Sequence, residues 1–499
     1  MKEKVLPPHA ASLSQSMRDL GYSPEAAIAD LIDNSITARA ENINILFDIS
    51  SEEDSYLAII DDGYGMNENE LFEAMRPGSK DPRESRDVDD LGRFGLGLKT
   101  ASFSQCRSLT VVSRKNNITS VAEWDLDTIT ERNEWVVIIP NQDQIQDLPL
   151  IDQLGRTGTY VLWRKLDRLL EKGSDGQERK TAYDKLDQVE RHLSLVFHRY
   201  LSGDYKRRKI SIYINGHQIE SFDPFCLSNK ATQSLHEEIV RVIGYEIKIQ
   251  PYILPHHSKL SKKEYDFYKN RSDFVSNQGA YVYRNGRLMA WGDWFRLVPR
   301  GEATKLARVR IDFPNTLDEY WTIDIKKSKA VPPYQVREKL RHIINRISEQ
   351  STRVHKGRGD RLFEKSEDPL WVRFSYRDGI RYALNKKHPL IQSIKSNLTD
   401  DTHKALEEVL TIIENGLPIE AIYADYSSSP QSFELSEKIT SEELQEKLEK
   451  IYMLMSVSGN VDKERFSKLV LELKPFNEHQ DITKVIIEDF IYASKPENR

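Results

Sequence analysis

Between Ala27 and Ala40 the chain reads AIADLIDNSITARA, apolar residues at helical spacing broken by Asp30, Asp33 and Asn34. Ser23, Pro24 and Glu25 form a helix start just before it: serine caps, proline suits the first turn, and glutamate suits the positive end of the helix dipole. The spacing predicts a helix through Ala40. Asp30 and Asn34 are four apart and share a face, with Asp33 on nearly the same side. A buried carboxylate without a partner is costly. Such a cluster is either a solvated face or a set of groups waiting for a metal, water or ligand.

The remaining pattern alternates. Residues 9–22 read as a short helical arm, and strands are expected at 42–50, 55–63, 107–116, 134–141 and 157–166. Helical signals lie between some of them, which predicts an α/β architecture, an α+β two-layer sandwich. Residues 76–90, RPGSKDPRESRDVDD, lack apolar periodicity and read as a long loop. The polar run over 164–185 marks a first boundary. A second α/β unit follows over 185–350, with strands at 208–216, 279–289, 307–314 and 319–328 and a closing helix at 332–350. A linker covers 353–369, and the remainder reads as mainly helical. The expected domains are 1–175, 185–350 and 352–499.

Composition narrows the possibilities. A chain of 499 residues is too long for one core. With 30% charged and 38% hydrophobic residues it has a globular composition, and its net charge of −6 does not mark it as an overall nucleic-acid binder. The two cysteines, Cys106 and Cys226, are far apart, which excludes a cysteine-rich zinc module and argues against a disulfide framework. The start, MKEKVLPPHA, has no apolar signal core, and no stretch approaches the ~18 apolar residues of a membrane span. The expected location is cytoplasmic, away from membranes.

Three further motifs carry chemistry. The strand YLAII runs into DDGYGM, which places Asp61 at a strand end; Gly63 and Gly65 allow unusual backbone angles or the approach of a flat ligand. By itself this is a common turn. The stretch LGRFGLGLKTASF sets Gly92, Gly95 and Gly97 before a helix that begins with Leu98 and Lys99. Free amides at such a start suit an anion. It is not a P-loop, because Leu98 separates Gly97 from Lys99. The third motif is a strand opening on Gly158 and Thr159.

Taken in this order, the motifs resemble the Bergerat-fold ATPases of the GHKL superfamily. Within that superfamily AIADLIDNSI and DDGYGM look like motifs of the microrchidia (MORC) group, and GRFGLGLK looks like the chaperone branch's glycine box. VYRNGRLM and IDIKKSKAVPP look like that group's transducer domain. The expectation is a prokaryotic MORC-like protein that binds ATP and Mg²⁺. The resemblance implies that Asn34 holds the magnesium, with Asp33 beside it in the pocket wall. It implies that Asp61 takes the adenine amino group, Gly63 and Gly65 admit the base, Met66 packs on its ring, and Thr159 touches the adenine-side water. Gly92, Gly95 and Gly97, with Leu98 and Lys99, would surround the phosphates beneath a lid over residues 76–91. Asp30 stands where the family usually has a glutamate base, so slow hydrolysis is expected. A lysine of TIDIKKSKA, Lys327 or Lys329 on one strand face, would reach the γ-phosphate.

The same resemblance implies homodimerisation on ATP binding and an ATP-gated clamp, with double-stranded DNA and proteins of a defence system as partners. Competing expectations are a chaperone-like ATPase acting on proteins and a nucleotide-sensing scaffold with negligible turnover. For DNA the residues themselves offer Arg284, Arg287, Arg296, Arg300, Lys305, Arg308 and Arg310, then YKRRK at 205–209 and HKGRGDR at 355–361. Such clusters contact phosphates or serve domain packing.

Overall fold

The computed structural model describes residues 3–4, 8–49, 54–78, 87–92, 95, 97–169, 177–255, 259–271, 277–301, 304–323, 330–347, 368–376, 379–419, 422, 439–456 and 461–492. It divides into two compact units, Met1–Thr352 and Arg353–Arg499.

The first unit contains two sheets. Strands β1 (Asn42–Asp48), β2 (Tyr56–Asp61), β3 (Ser108–Lys115), β4 (Ile118–Asp125), β5 (Gly158–Arg164), β6 (Ser211–Ile214) and β7 (His217–Gln218) form a seven-stranded sheet in the order β4-β3-β5-β2-β1-β6-β7. The pairing of β1 with β6 is parallel, while β1 with β2, β2 with β5 and β5 with β3 are antiparallel. Five of the six β2 residues are buried, as expected of a central strand that is covered on both faces.

Alternation assigns the faces. Leu57 and Ile59 of β2 join Ile43, Ile45, Val111, Val161 and Trp163 in a core shared with helices α1 (Ala10–Arg18), α2 (Pro24–Thr37), α3 (Glu68–Met75) and α4 (Gly97–Phe103). Ala58 and Ile60 face a smaller core with Val112, Tyr160 and Leu162, covered by Leu148 and Leu154. This is the expected two-layer α/β arrangement, with the helices on one face.

Three strand expectations change. Residues 211–214, expected in the 185–350 domain, pair with β1, and helix α5 (Leu126–Arg132) precedes a segment that is no strand. At 134–141 only Ile138 bridges, exchanging two 2.9 Å backbone bonds with Glu123; Ile138 and Ile139 remain exposed, having no second layer to cover them. Strand β4, unremarked in the sequence, is the sheet edge instead. The first sheet layer therefore continues past residue 175. Helix α6 (Gln142–Gln146) lies before β5, and the long helix α7 (Gln177–Val196) leads into α8 (His198–Ser202).

The second sheet comprises β8 (Gln233–Ser234), β9 (Glu238–Val242), β10 (Tyr245–Ile253), β11 (Gly279–Arg284), β12 (Arg287–Asp293) and β13 (Ala307–Phe313). Their order is β12-β11-β13-β10-β8, with β9 also on β10. A helix spans 334–347. The second unit holds a hairpin of Trp371–Tyr376 with Gly379–Leu384 and helices including Ser441–Ser456, Lys463–Glu472 and Gln480–Tyr492, packed around Leu448, Phe466 and Val470.

Candidate functional site

The same alternation that packs β2 directs Asp61 toward the helical layer. Strand register then aligns it: Asp61 pairs with Thr159 on β5, and Thr159 pairs with Ser113 on β3. Ser113, Thr159 and Asp61 thus form a polar row across three adjacent strands at one end of the sheet. The Asp61 carboxylate accepts from the Ser35 hydroxyl at 2.7 Å, the Gly63 amide at 3.0 Å and the Thr159 amide at 3.2 Å. Burial nevertheless raises its pKa above the usual carboxylate value, outweighing these three donors. Ser113 Oγ lies 3.1 Å from Thr159 Oγ1 and accepts the Met66 amide at 2.8 Å. Met66 itself packs against the first core.

Above this row lies α2. From Ala27 to Ile36 every residue is buried except Asn34, which is exposed. Asn34 thus presents a polar amide at the surface of a helix otherwise sunk in the core between Ala27 and Ile36. One turn earlier, Asp30 is 2% exposed and accepts the Tyr22 hydroxyl at 3.1 Å. The glycine loop ends against it: a Cβ added to Gly97 would stand 3.4 Å from Asp30 Oδ2. At the helix's far end Thr37 Oγ1 accepts the Leu91 amide at 3.2 Å. One helix therefore touches the polar row, the approach to the glycine loop and the loop's end.

Several expected contacts are spent within the chain. Asp33, at 0% exposure, pairs with the buried Arg287 of β12, so its carboxylate serves the second sheet. Lys99, also buried, donates to the carbonyls of Ala74 at 2.8 Å and Gly95 at 3.0 Å; burial lowers its pKa to about 8. The ammonium thus ties α3 to the glycine loop, and Leu98 packs against the core. Gly65 adopts φ +67°, and a Cβ there would lie 2.1 Å from the Arg114 carbonyl oxygen. The β3 backbone by itself requires glycine at that position. Lys326, Lys327 and Lys329, and half of the expected lid (79–86), lie outside the described residues.

The expected basic face is partly consumed, while Arg207, Lys209, Arg296 and Arg300 are exposed. Arg284, Arg287 and Arg308 are at most 3% exposed. Arg310 pairs with Asp312 at 2.9 Å, Lys206 with Asp89 at 2.5 Å, and Arg208 donates to the Ile36 carbonyl. Residues 355–361 lie outside the described residues. The buried and paired arginines and lysines tie the first unit together. Tyr22, Ser35 and Ser113 belong to the site without having been anticipated. Ser113 was findable by alternation along β3 once its register with Thr159 is known, but register is not written in one strand alone.

The donor set suits a magnesium nucleotide. Among the described residues no group of three His, Cys, Asp or Glu could hold a metal by itself. Mg²⁺ commonly takes one or two protein oxygens and completes its shell with phosphate and water. The exposed Asn34 amide offers one such oxygen.

Comparison with known proteins agrees with this geometry. The family described as histidine kinase-, DNA gyrase B-, and HSP90-like ATPase matches residues 22–159, from the site tyrosine to the site threonine. A stretch of 96 residues is 36% identical to ATPase morc-1 of Caenorhabditis elegans, covering 19% of this chain and 11% of that protein. The chain thus spans about a tenth of that relative's length. Among the described residues no helix is long and apolar enough to cross a membrane. Residues 22–159 are therefore an ATP-binding domain of the GHKL class, and a stretch of the chain is similar to a MORC ATPase.

Proposed function

We propose that this chain binds Mg·ATP between α2 and the glycine loop, hydrolyses it slowly, and uses it to gate a homodimeric clamp. The observation that carries the reading is the exposed Asn34 on an otherwise buried helix, between the Asp30–Gly97 contact and the Ser35–Asp61 bond. Asp61 takes the adenine amino group, with Thr159 and Ser113 fixing its carboxylate and the adjacent water. Asn34 would hold the magnesium, which would supply positive charge to the phosphates. The amides of Gly95 and Gly97 face those phosphates, while that of Gly92 donates to Asp90 at 2.7 Å.

Asp30 is the base for the attacking water. Its shorter side chain leaves it further from that water than a glutamate would be, hence slow turnover. Tyr22 orients the carboxylate. Asp33 is assigned to coupling the second sheet, and Lys99 to bracing the loop. A lysine from 326–329 at the γ-phosphate remains part of the reading.

Double-stranded DNA as the partner, in prokaryotic genome or anti-phage defence, rests on the resemblance and on the exposed Arg207, Arg296 and Arg300, since Arg284, Arg287 and Arg308 are buried. Mass measurement in solution tests the clamp. A non-hydrolysable ATP analogue should convert monomer to dimer, and low-salt DNA should raise phosphate release. A dimer independent of nucleotide, or turnover indifferent to DNA, contradicts the clamp.

A further inference from the structure

The segment 87–92 leads directly into the glycine loop and forms neither helix nor strand. Its backbone is held from outside. Arg284, at the end of β11 and 1% exposed, uses all five of its N–H donors. Nε and Nη2 donate to Asp318 at 2.7 Å each. Nη1 donates to the carbonyls of Asp90 at 3.2 Å and Leu91 at 2.9 Å, and Nη2 also to that of Gly92 at 3.2 Å. Beside it, Asn285 Nδ2 donates to the Val88 carbonyl at 2.8 Å. Asn315 Nδ2 donates to the carbonyls of Asp87 at 2.8 Å and Asp90 at 3.3 Å. Five carbonyls of a six-residue stretch are thus bound by three side chains of the second sheet and the turn after it.

We propose that Arg284, with Asn285 and Asn315, is a positioning group for phosphate binding: it fixes the path by which the chain enters the glycine loop. The proposal rests on the nucleotide reading above. A loop without regular structure takes its conformation from whatever satisfies its backbone, and carbonyls left without donors drive it to rearrange. Gly92 is both the last carbonyl held by Arg284 and the first glycine of the loop; Gly97, five residues on, abuts Asp30. Asp318 supplies the counter-charge and holds the guanidinium plane in place.

The base-binding end shares α2 with this segment but is set by other bonds. Ser113, Thr159 and Asp61 are aligned by strand pairing, and none of them contacts Arg284, Asn285 or Asn315 among the described hydrogen bonds. Disturbing the Arg284 group should therefore weaken contacts to the phosphates and leave those to adenine. A purely architectural role would weaken both.

The test is calorimetric titration of the full chain with a magnesium-bound non-hydrolysable ATP analogue and, separately, with adenosine. Arg284→Met should lower affinity for the analogue on the order of tenfold or more, the equivalent of losing one hydrogen bond to a charged group. Adenosine affinity should change less than twofold, and Arg284→Lys should fall between. Asn315→Ala, which removes two of the bonds at a less central point, gives the same split if Arg284→Met does not fold. Equal losses for both ligands, or no loss for either, overturns the proposal. Wild-type protein that binds neither ligand overturns the nucleotide reading instead.

Discussion

Arg287 of the second sheet and Asp33 of α2 meet with Nε 3.2 Å from the carboxylate oxygens, their side chains 4% and 0% exposed. One residue beyond Asp33 is Asn34, and three before it is Asp30. The second sheet is therefore joined by a buried charge pair to the helix that carries both proposed chemical groups.

Breaking that pair from one side should be expensive. Arg287→Met or Asp33→Asn strands a buried partner and should each cost about 3–5 kcal/mol. The double variant Asp33→Asn with Arg287→Met should cost less than the sum, since neither charge is left alone. Urea denaturation of the four proteins measures this. Additive losses would show that the two side chains act separately.

Asp30 and Tyr22 should separate binding from chemistry. Asp30→Asn should retain nucleotide and lose turnover by roughly 10²–10⁴, the usual span for a removed general base. Asp30→Glu should speed hydrolysis. Tyr22→Phe, lacking the 3.1 Å bond to Asp30, should lower kcat with little change in KM. Steady-state phosphate release reads all three, and an unchanged rate in Asp30→Asn would remove it from the chemistry.

Lys99 gives a pH signature. Its pKa falls from 10.5 to about 8 on folding because burial disfavours the ammonium. Between those values the unfolded chain holds more protons, so stability contributed at this position rises with pH across that window. It is lost as pH falls through about 8. Wild type should therefore gain stability relative to Lys99→Met between about pH 8 and 10.5. Denaturation midpoints of both proteins at several pH values check the slope, and a flat difference would place the ammonium in contact with solvent.

Much of this was legible in the sequence. Helical spacing placed α2, and a strand ending in DDGYGM placed Asp61. What the sequence did not convey was direction across the fold. Asp33 and Asn34 are neighbours in the chain and point to opposite fates, one into an ion pair with Arg287 and the other into the open. Arg284 looked like a phosphate contact for DNA because charge is visible in a sequence and burial is not. Gly65 was legible as a glycine position, but the reason it must be glycine, the Arg114 carbonyl of β3, lies far away in the chain. Strand 211–214 was misassigned because parallel pairing to β1 is a long-range choice that local pattern does not carry.

The most direct test of the account is titration of the full chain with a non-hydrolysable ATP analogue, with and without magnesium, in wild type, Asn34→Ala and Asp61→Asn. Asn34 is exposed, so its replacement should leave stability within about 0.5 kcal/mol of wild type. The account predicts that Asn34→Ala abolishes the magnesium-dependent part of binding and that Asp61→Asn weakens binding with or without the metal. Wild-type affinity in Asn34→Ala, with the same response to magnesium, would contradict it.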